Sequence, residues 1–158
     1  MKKPDFSRYL DYAEMTRALE DMVSENAHLA KMSSLGKSYE GKDIWLVEIT
    51  NSETGLPEDK PAMYIDGNIH AGEVTGSAVC LYTVWYLLSG YGKDPFVTKL
   101  LDKKTFYIIP RISVDGADVF LHTPYTLRSS TRQYPEVDRR EGLVQEDIDG
   151  NGLILQMR

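Results

Sequence analysis

The chain has 158 residues, a net charge of −6 and 42% hydrophobic residues, the composition of an ordinary globular domain. The negative charge gives no general attraction to nucleic acid or anionic membranes, and no apolar run reaches the ~18 residues of a membrane span. The single cysteine, Cys80, excludes an intrachain disulfide and a cysteine-based zinc site, and its apolar neighbours predict a buried residue.

The first part of the chain predicts a helix followed by a hairpin. Asp11 and Glu14 form a capping-box pattern, and apolar residues follow at helical spacing, so residues 11–29 are predicted to be an amphipathic helix. β-branched and aromatic residues then predict a hairpin that pairs residues 32–38 with residues 43–50. Turn chemistry makes residues 51–61 a loop.

The middle of the chain predicts a βαβ unit. Residues 62–66 and 105–109 are strand-like, and the apolar segment 74–89 between them is typical of a buried helix, with a short helical segment in residues 91–103. Such strands are expected to be parallel, which together with the hairpin predicts an α/β fold with a mixed sheet. Residues 111–158 are rich in Arg, Asp, Gly and Pro and are predicted to be mostly loops.

The two ends of the chain bear on localisation and completeness. The N-terminus has no apolar segment of the kind found in secretory signals, so a cytoplasmic protein is the default expectation. Loss of an upstream signal would make it a secreted one instead. The chain ends on the apolar run "LILQMR", which predicts that residues 1–158 are a single but incomplete domain.

His70 and Glu73 lie where the predicted strand gives way to the buried helix. Imidazole nitrogen and carboxylate oxygen are zinc donors, and the i, i+3 spacing brings both to one side of a tight turn. This spacing is common by chance, so a capping or surface pair is the alternative. A catalytic zinc site needs a third protein ligand. His28 is expected at the surface of the first helix, and a loop-anchoring or exposed role is favoured over metal binding for His122.

Four segments in order resemble the carboxypeptidase A-like zinc metallocarboxypeptidases. "GNIHAGEVTGSAV" is similar to the family's zinc-binding segment, and "LGKSYEGKDIWLVEIT" to its upstream signature. "YIIPRISVDGADVF" resembles the strand that runs into an Asn-Pro-Asp-Gly turn, and "TLRSSTR" resembles the arginine-bearing loop that follows. The resemblance implies an α/β/α sandwich with a mixed, partly parallel sheet, of which this chain is the N-terminal portion.

The resemblance also implies a role for individual residues. His70 and Glu73 would be the first two zinc ligands, and Arg128 would be the catalytic arginine that polarises the scissile carbonyl and stabilises the oxyanion. Arg132 is the alternative for that role, because this loop is one residue longer than the family's usual form. Surface solvation or anion binding is the alternative for both arginines.

The implied activity is hydrolysis of the C-terminal peptide bond of a peptide or protein with a free C-terminus. In the family, zinc-bound water attacks this bond while a glutamate acts as general base. The family's third ligand, carboxylate-binding pair and general base lie further downstream, and Glu136, Glu141 and Glu146 fall in no matching context. We therefore expect this chain by itself to be an inactive fragment.

The sequence also departs from the family's pattern and leaves other functions open. "SVDG" replaces Asn-Pro-Asp-Gly, although Asp115 and Gly116 are still expected to turn. A related zinc amide hydrolase or deacylase shares the H-x-x-E pattern. A non-catalytic module of the same fold, which binds peptides or another protein without metal, is favoured by the missing ligand and base.

A second motif near the end of the chain resembles a calcium loop. Asp147, Asp149 and Asn151 match the first, third and fifth positions of an EF-hand loop, but Arg158 occupies the twelfth position, where a glutamate is needed. No helix pattern flanks the motif on both sides. A hairpin turn rich in Asp, Asn and Gly is therefore favoured over calcium binding.

Overall fold

The fold was analysed in a computed structural model that describes residues 2–132 and 146–153. Its helices are α1 (Tyr12–Ser24), α2 (Val74–Gly90), α3 (Pro95–Lys103) and α4 (Val114–His122). Its strands are β1 (Ala30–Lys37), β2 (Asp43–Ile49), β3 (Ala62–Asp66) and β4 (Thr105–Ile109). Two short 3-10 turns lie in the loop predicted between β2 and β3, at Ser52–Thr54 and Pro57–Asp59.

The four strands form one mixed sheet in the order β1-β2-β4-β3. β1 pairs antiparallel with β2 as the predicted hairpin, and β2 pairs antiparallel with β4. β3 and β4 are parallel, joined by a crossover that contains α2 and α3. The prediction of an α/β fold with a mixed, partly parallel sheet is therefore confirmed. Because β3 and β4 are parallel, their carboxyl ends meet at one edge of the sheet, where α/β proteins bind ligands.

The core lies between one face of the sheet and the helices. Strands β2 and β4 direct Val47, Ile49 and Ile108 into it, and none of the three is exposed. Helix α1 covers them with residues at helical spacing, namely Met15, Leu19 and Met22. Helix α2 contributes Cys80, which is buried as predicted, and burial raises the pKa of its thiol to about 11. Within residues 2–132 and 146–153, no helix is long and apolar enough to cross a membrane.

Helix α1 ends at Ser24, five residues earlier than the sequence predicts. The capping box of Asp11 and Glu14 is present at its start, as predicted. At its end the side-chain amide of Asn26 donates to the carbonyl of Met22 at 2.8 Å, which competes with continuation of the helix. The chain then turns directly into β1, so the exposed His28 lies in a turn and not on the helix.

Helix α4 is an element that the sequence did not predict, within the segment 111–158 that was expected to be mostly loops. The segment "SVDG", expected to turn, instead begins this helix, with Ser113 at the N-cap position. Val114 and Ala117 are buried, so the helix is stabilised by packing that the local sequence does not reveal. The loop prediction for residues 133–145 and 154–158 falls outside the described residues, as do Glu136 and Glu141.

Two glycines allow α2 to approach the end of β3 closely. A Cβ placed on Gly67 would lie 2.6 Å from the carbonyl oxygen of Gly76 and 2.9 Å from the sulfur of Cys80. Both distances are shorter than van der Waals contact, and the first is to backbone, which cannot move aside without shifting the helix. The start of α2 therefore holds its place against β3 only if residue 67 has no side chain.

Gly67→Ala is expected to lower the free energy of unfolding by about 1–3 kcal/mol, because the added methyl group overpacks this contact. Thermal or urea denaturation measures the change. Gly72→Ala is the matched control, since a Cβ there would meet only the ring of Phe120, at 3.4 Å or more. Equal stability of the two variants would show that the close approach of α2 to β3 is not a constraint.

Candidate metal and catalytic site

The loop between β3 and α2 is held at the carboxyl edge of the sheet by backbone hydrogen bonds. The N–H of Gly67 donates to Ile109 at 3.0 Å, and the N–H of Ile112 donates back to Gly67 at 3.0 Å. The N–H of Ser113 then donates to the carbonyl of Asn68 at 2.9 Å. The parallel pairing thus continues past the ends of both strands and holds the start of the loop against the segment that follows β4.

The side chains of His70 and Glu73 meet in this loop. His70 Nδ1 lies 2.7 Å from Glu73 Oε1, and the N–H of His70 donates to Glu73 Oε2 at 3.3 Å. Glu73 occupies the N-cap position of α2 but makes no capping hydrogen bond. The capping alternative is therefore not what the structure shows, and the carboxylate instead turns back to the histidine.

The electrostatics of the pair favour an ionised carboxylate. The side-chain and backbone hydrogen bonds from His70 lower the pKa of Glu73, and the positive charge of Arg128 lowers it further. The side chains of His70 and Glu73 are 35% and 57% exposed, so both remain open to a ligand from solvent. The pair thus presents a nitrogen donor and an anionic oxygen donor on an accessible surface.

The loop that carries the candidate arginines lies directly against the His70–Glu73 loop. The N–H of Ala71 donates to the carbonyl of Arg128 at 2.7 Å, which joins the two loops. The hydroxyl of Ser113 donates to the carbonyl of Ser129 at 2.9 Å and anchors the same loop to the start of α4. The positive charge of Arg128, which belongs to this loop, contributes to the lowered pKa of Glu73.

The other predicted candidates do not join this site. His122 is exposed at the end of α4, with its Nε2 3.9 Å from a carboxylate oxygen of Asp11. His28 stacks edge-on against the ring of Tyr91. Across residues 2–132 and 146–153, the structure contains no group of three or more His, Cys, Asp or Glu side chains that could hold a metal ion.

A polar cluster that the sequence did not predict joins the hairpin turn between β1 and β2 to helix α4, next to the site. The hydroxyl of Ser38 and the N–H of Glu40 donate to the two carboxylate oxygens of Asp115, at 2.8 and 3.1 Å. Lys42 Nζ lies 3.0 Å from Asp118 Oδ2. Burial alone would lower the pKa of Lys42, but its contacts with Asp118 and Glu40 outweigh this effect and raise it. The hairpin turn between β1 and β2 is thereby fastened to α4.

Arg111, which the sequence analysis did not single out, also belongs to this cluster. Its guanidinium is 2% exposed, and this burial lowers its pKa. Nε donates to Ser77 on α2 at 3.2 Å, Nη2 donates to the carbonyl of Leu10 at 2.8 Å, and Nη1 lies 3.6 Å from Asp118 Oδ1. This buried cation thus connects the segment just after β4 with α2, with the N-terminal segment and with α4. The only sequence signal was its place in the strand segment that carries the resemblance.

The candidate calcium loop is closed by its own hydrogen bonds. The carboxylate of Asp147 accepts from the backbone N–H groups of Gly150, Asn151 and Gly152, at 2.9, 3.2 and 2.7 Å. The backbone hydrogen bond from Gly152 is the main reason why the pKa of Asp147 is lowered. Asn151 also bonds to Asp149 through its side chain at 2.9 Å. The segment thus forms a bend, while the residues that the predicted hairpin would pair lie mostly outside the described part of the chain, as does Arg158.

His70 and Glu73 fit a zinc ion in donor type and in position. A neutral imidazole nitrogen and a carboxylate oxygen are common zinc donors, and two ligands of one ion must lie close together, as these do. A catalytic zinc site needs three protein ligands, of which this pair would be two. The fold and this site together define an α/β protein with a histidine–glutamate pair at the carboxyl edge of its mixed sheet.

Comparison with known proteins identifies the family. The sequence profile of the zinc carboxypeptidases, peptidase family M14, matches residues 15–152, and the chain belongs to this family. Over 118 residues it is 28% identical to a zinc carboxypeptidase of Saccharothrix mutabilis subsp. capreolus, covering 75% of this chain and 27% of that protein. Over 119 residues it is 33% identical to mouse carboxypeptidase Z, covering 73% of this chain and 18% of that protein.

Solved structures agree with this assignment. The fold matches thrombin-activatable fibrinolysis inhibitor with a TM-score of 0.74 and 29% identity, covering 82% of this chain and 31% of that chain. It matches carboxypeptidase A from Helicoverpa armigera with a TM-score of 0.74, at 19% identity, covering 84% of this chain and 31% of that chain. The chain therefore spans less than a third of the length of these relatives.

Asp118→Asn is expected to destabilise the fold, because it leaves Arg111 buried without its carboxylate. We expect the free energy of unfolding to fall by about 2 kcal/mol, less than for a fully buried pair, since the Asp118 side chain is 19% exposed. Urea denaturation measures this. Asp5→Asn is the matched control, since it weakens an exposed ion pair with Arg8. A loss no larger than that of the control would contradict a supporting role for the buried arginine.

Proposed function

We propose that the protein containing this chain is a zinc-dependent metallocarboxypeptidase that removes C-terminal residues from peptides or proteins. In this proposal His70 and Glu73 are two of the zinc ligands, and Arg128 is the arginine that stabilises the oxyanion. The observation that carries the proposal is the 2.7 Å contact between His70 Nδ1 and Glu73 Oε1 at the carboxyl edge of a zinc carboxypeptidase fold.

The geometry supports a division of labour among these residues. Bound zinc would activate water and polarise the scissile carbonyl. The carboxylate of Glu73 makes no capping hydrogen bond to α2 and is turned toward His70. The donor atoms of the two side chains therefore lie close together. Arg128 belongs to the loop joined to Ala71 by a 2.7 Å hydrogen bond, and its charge contributes to the lowered pKa of Glu73. A positioned cation there stabilises negative charge as it develops on the carbonyl oxygen.

The substrate class follows from the family. A structural neighbour, bovine thrombin-activatable fibrinolysis inhibitor, has been solved in complex with tick carboxypeptidase inhibitor, with a TM-score of 0.70. That protein therefore binds a polypeptide partner. For this chain we propose peptide or protein substrates with a free C-terminal carboxylate. The residues that would select the C-terminal side chain are not among those that form the site described above.

The first test uses the longer protein, expressed with any coding sequence that follows Arg158. Wild type is expected to cleave an N-acylated dipeptide with a free C-terminus, but not the matched amide, and to contain one zinc per chain. His70→Ala and Glu73→Ala are expected to lose both zinc and activity. His28→Ala is the control, since this histidine lies in an exposed turn. Peptide binding by a zinc-free, inactive wild type would instead establish a non-catalytic module.

The two arginines can be distinguished in the same protein. Arg128→Ala is expected to lower kcat about 10²–10³-fold, as for the loss of one oxyanion-stabilising group, with zinc content unchanged. Arg132→Ala is the matched control from the same loop and is expected to change kcat by less than about tenfold, well below that range. A larger loss for Arg132→Ala would transfer the role to that residue.

The isolated chain is expected to be inactive. Two ligands should hold zinc far more weakly than three, so residues 1–158 alone should lose the metal on brief dialysis. Metal analysis after dialysis and the dipeptide assay measure both points. Stoichiometric zinc or hydrolysis by this chain alone would contradict the proposal that its site is incomplete.

A further inference from the structure

We propose that Asn68 is a positioning residue that sets the geometry of the His70–Glu73 ligand pair. This role rests on the proposed function, in which zinc binds at this site. No atom of Asn68 itself is proposed to bind the zinc. The structural basis is a single buried asparagine whose backbone and side chain both act on the loop that carries the two ligands.

The backbone of Asn68 adopts a conformation that few residues other than glycine accept. Its φ of 57° is the only positive φ of a non-glycine residue in the described part of the chain. The left-handed conformation costs most residues about 1–2 kcal/mol, and asparagine tolerates it better than most. The turn at this position sends the chain away from β3 and into the ligand loop.

The side chain of Asn68 reaches forward along the same loop. Its Nδ2 donates to the carbonyl of His70 at 2.7 Å and to the carbonyl of Ala71 at 3.2 Å. These two bonds fix the peptide planes on the C-terminal side of His70, and hence the direction of its Cα–Cβ bond. The residue itself is 2% exposed, so solvent competes little for these donors.

The cost of this asparagine indicates that the turn alone does not explain it. Its Oδ1 is buried and has no hydrogen-bond partner within residues 2–132 and 146–153. An unsatisfied buried acceptor costs about 1–3 kcal/mol. Glycine would adopt the same φ without strain and without a buried polar atom. Glycine would lack the side-chain amide that bonds to the carbonyls of His70 and Ala71. The asparagine is therefore explained by these bonds to the ligand loop more than by the conformation of the turn.

This arrangement has a physical consequence for metal binding. Groups that orient a ligand through a hydrogen bond typically change metal affinity about 10–100-fold when they are removed. The two uncharged N–H donors of an asparagine amide can do this without adding charge beside the ion. Asn68 thus acts on zinc through the backbone of His70, and not through contact with the metal.

The test compares Asn68→Gly with wild type in the longer, zinc-binding protein. We expect the variant to bind zinc about 10–100-fold more weakly in competition with a chromophoric chelator. Its melting temperature should change little, because the relief of strain offsets the lost hydrogen bonds. After cobalt substitution, its visible absorption spectrum should differ from that of wild type, which reports an altered ligand geometry. Unchanged zinc affinity and an unchanged cobalt spectrum would overturn the proposal.

Two further variants separate positioning from general stability. Asn68→Asp keeps the size of the side chain but replaces the donor with an acceptor, so it should also weaken zinc binding, and normal affinity there would overturn the proposal even if Asn68→Gly fails to fold. Asn51→Ala is the matched control. Asn51 is likewise buried and its amide donates to Tyr91 and Asp102, each at 2.8 Å, at the opposite edge of the sheet. It should lose stability with zinc affinity unchanged.

The outcomes also distinguish this inference from the proposed function. A wild-type protein that binds no zinc would overturn the zinc site itself. A wild-type protein that binds zinc, with variants at Asn68 that bind it equally well, would overturn only the positioning role. A loss of affinity in Asn51→Ala equal to that in Asn68→Gly would likewise overturn it, because the effect would then follow stability alone.

Discussion

The candidate site depends on the parallel pairing of β3 with β4 and on its continuation beyond the strands. Three hydrogen bonds carry the pairing onward, from Gly67 to Ile109, from Ile112 to Gly67 and from Ser113 to Asn68. They place the loop after β3 beside the start of α4. Because Gly67 also lets α2 approach closely, the loop is constrained at both ends, and His70 and Glu73 meet on a short connection.

Helix α4 connects the loop of Arg128 to this part of the structure. Its first turn lies so close to the loop that a Cβ on Gly116 would come within 2.0 Å of the carbonyl oxygen of Ser129. The helix is in turn held by Arg111 and by the hairpin turn that ends at Lys42. The scaffold therefore brings together two loops that are more than fifty positions apart in the chain, one with Arg128 and the other with His70 and Glu73.

The segments that carry the family resemblance divide into two physical roles. "GNIHAGEVTGSAV" contains the His70–Glu73 pair, and "TLRSSTR" contains the two candidate arginines. "GKSYEGK" and "PRISVDG" act at a distance, because Ser38 and Lys42 contact Asp115 and Asp118 across the hairpin turn. The second pair of segments therefore supports the fold on which the site is built, which gives a structural reason for their place in the resemblance.

Local sequence alone determined the strands and the buried helix, because periodicity and capping are properties of neighbouring residues. It offered His70 and Glu73 only as two donors at a common spacing, and the resemblance of four segments made the pair specific. It did not reveal helix α4, which is stabilised by burial and by carboxylates bound to a distant turn. It also did not reveal the role of Arg111, because the partners of this residue lie in other segments of the chain. The role of Asn68 was not revealed either, because its contacts depend on its left-handed backbone conformation. Tertiary structure decided that the loop of Arg128 lies against the loop of His70 and Glu73, because the hydrogen bond from the N–H of Ala71 to the carbonyl of Arg128 joins residues far apart in the chain.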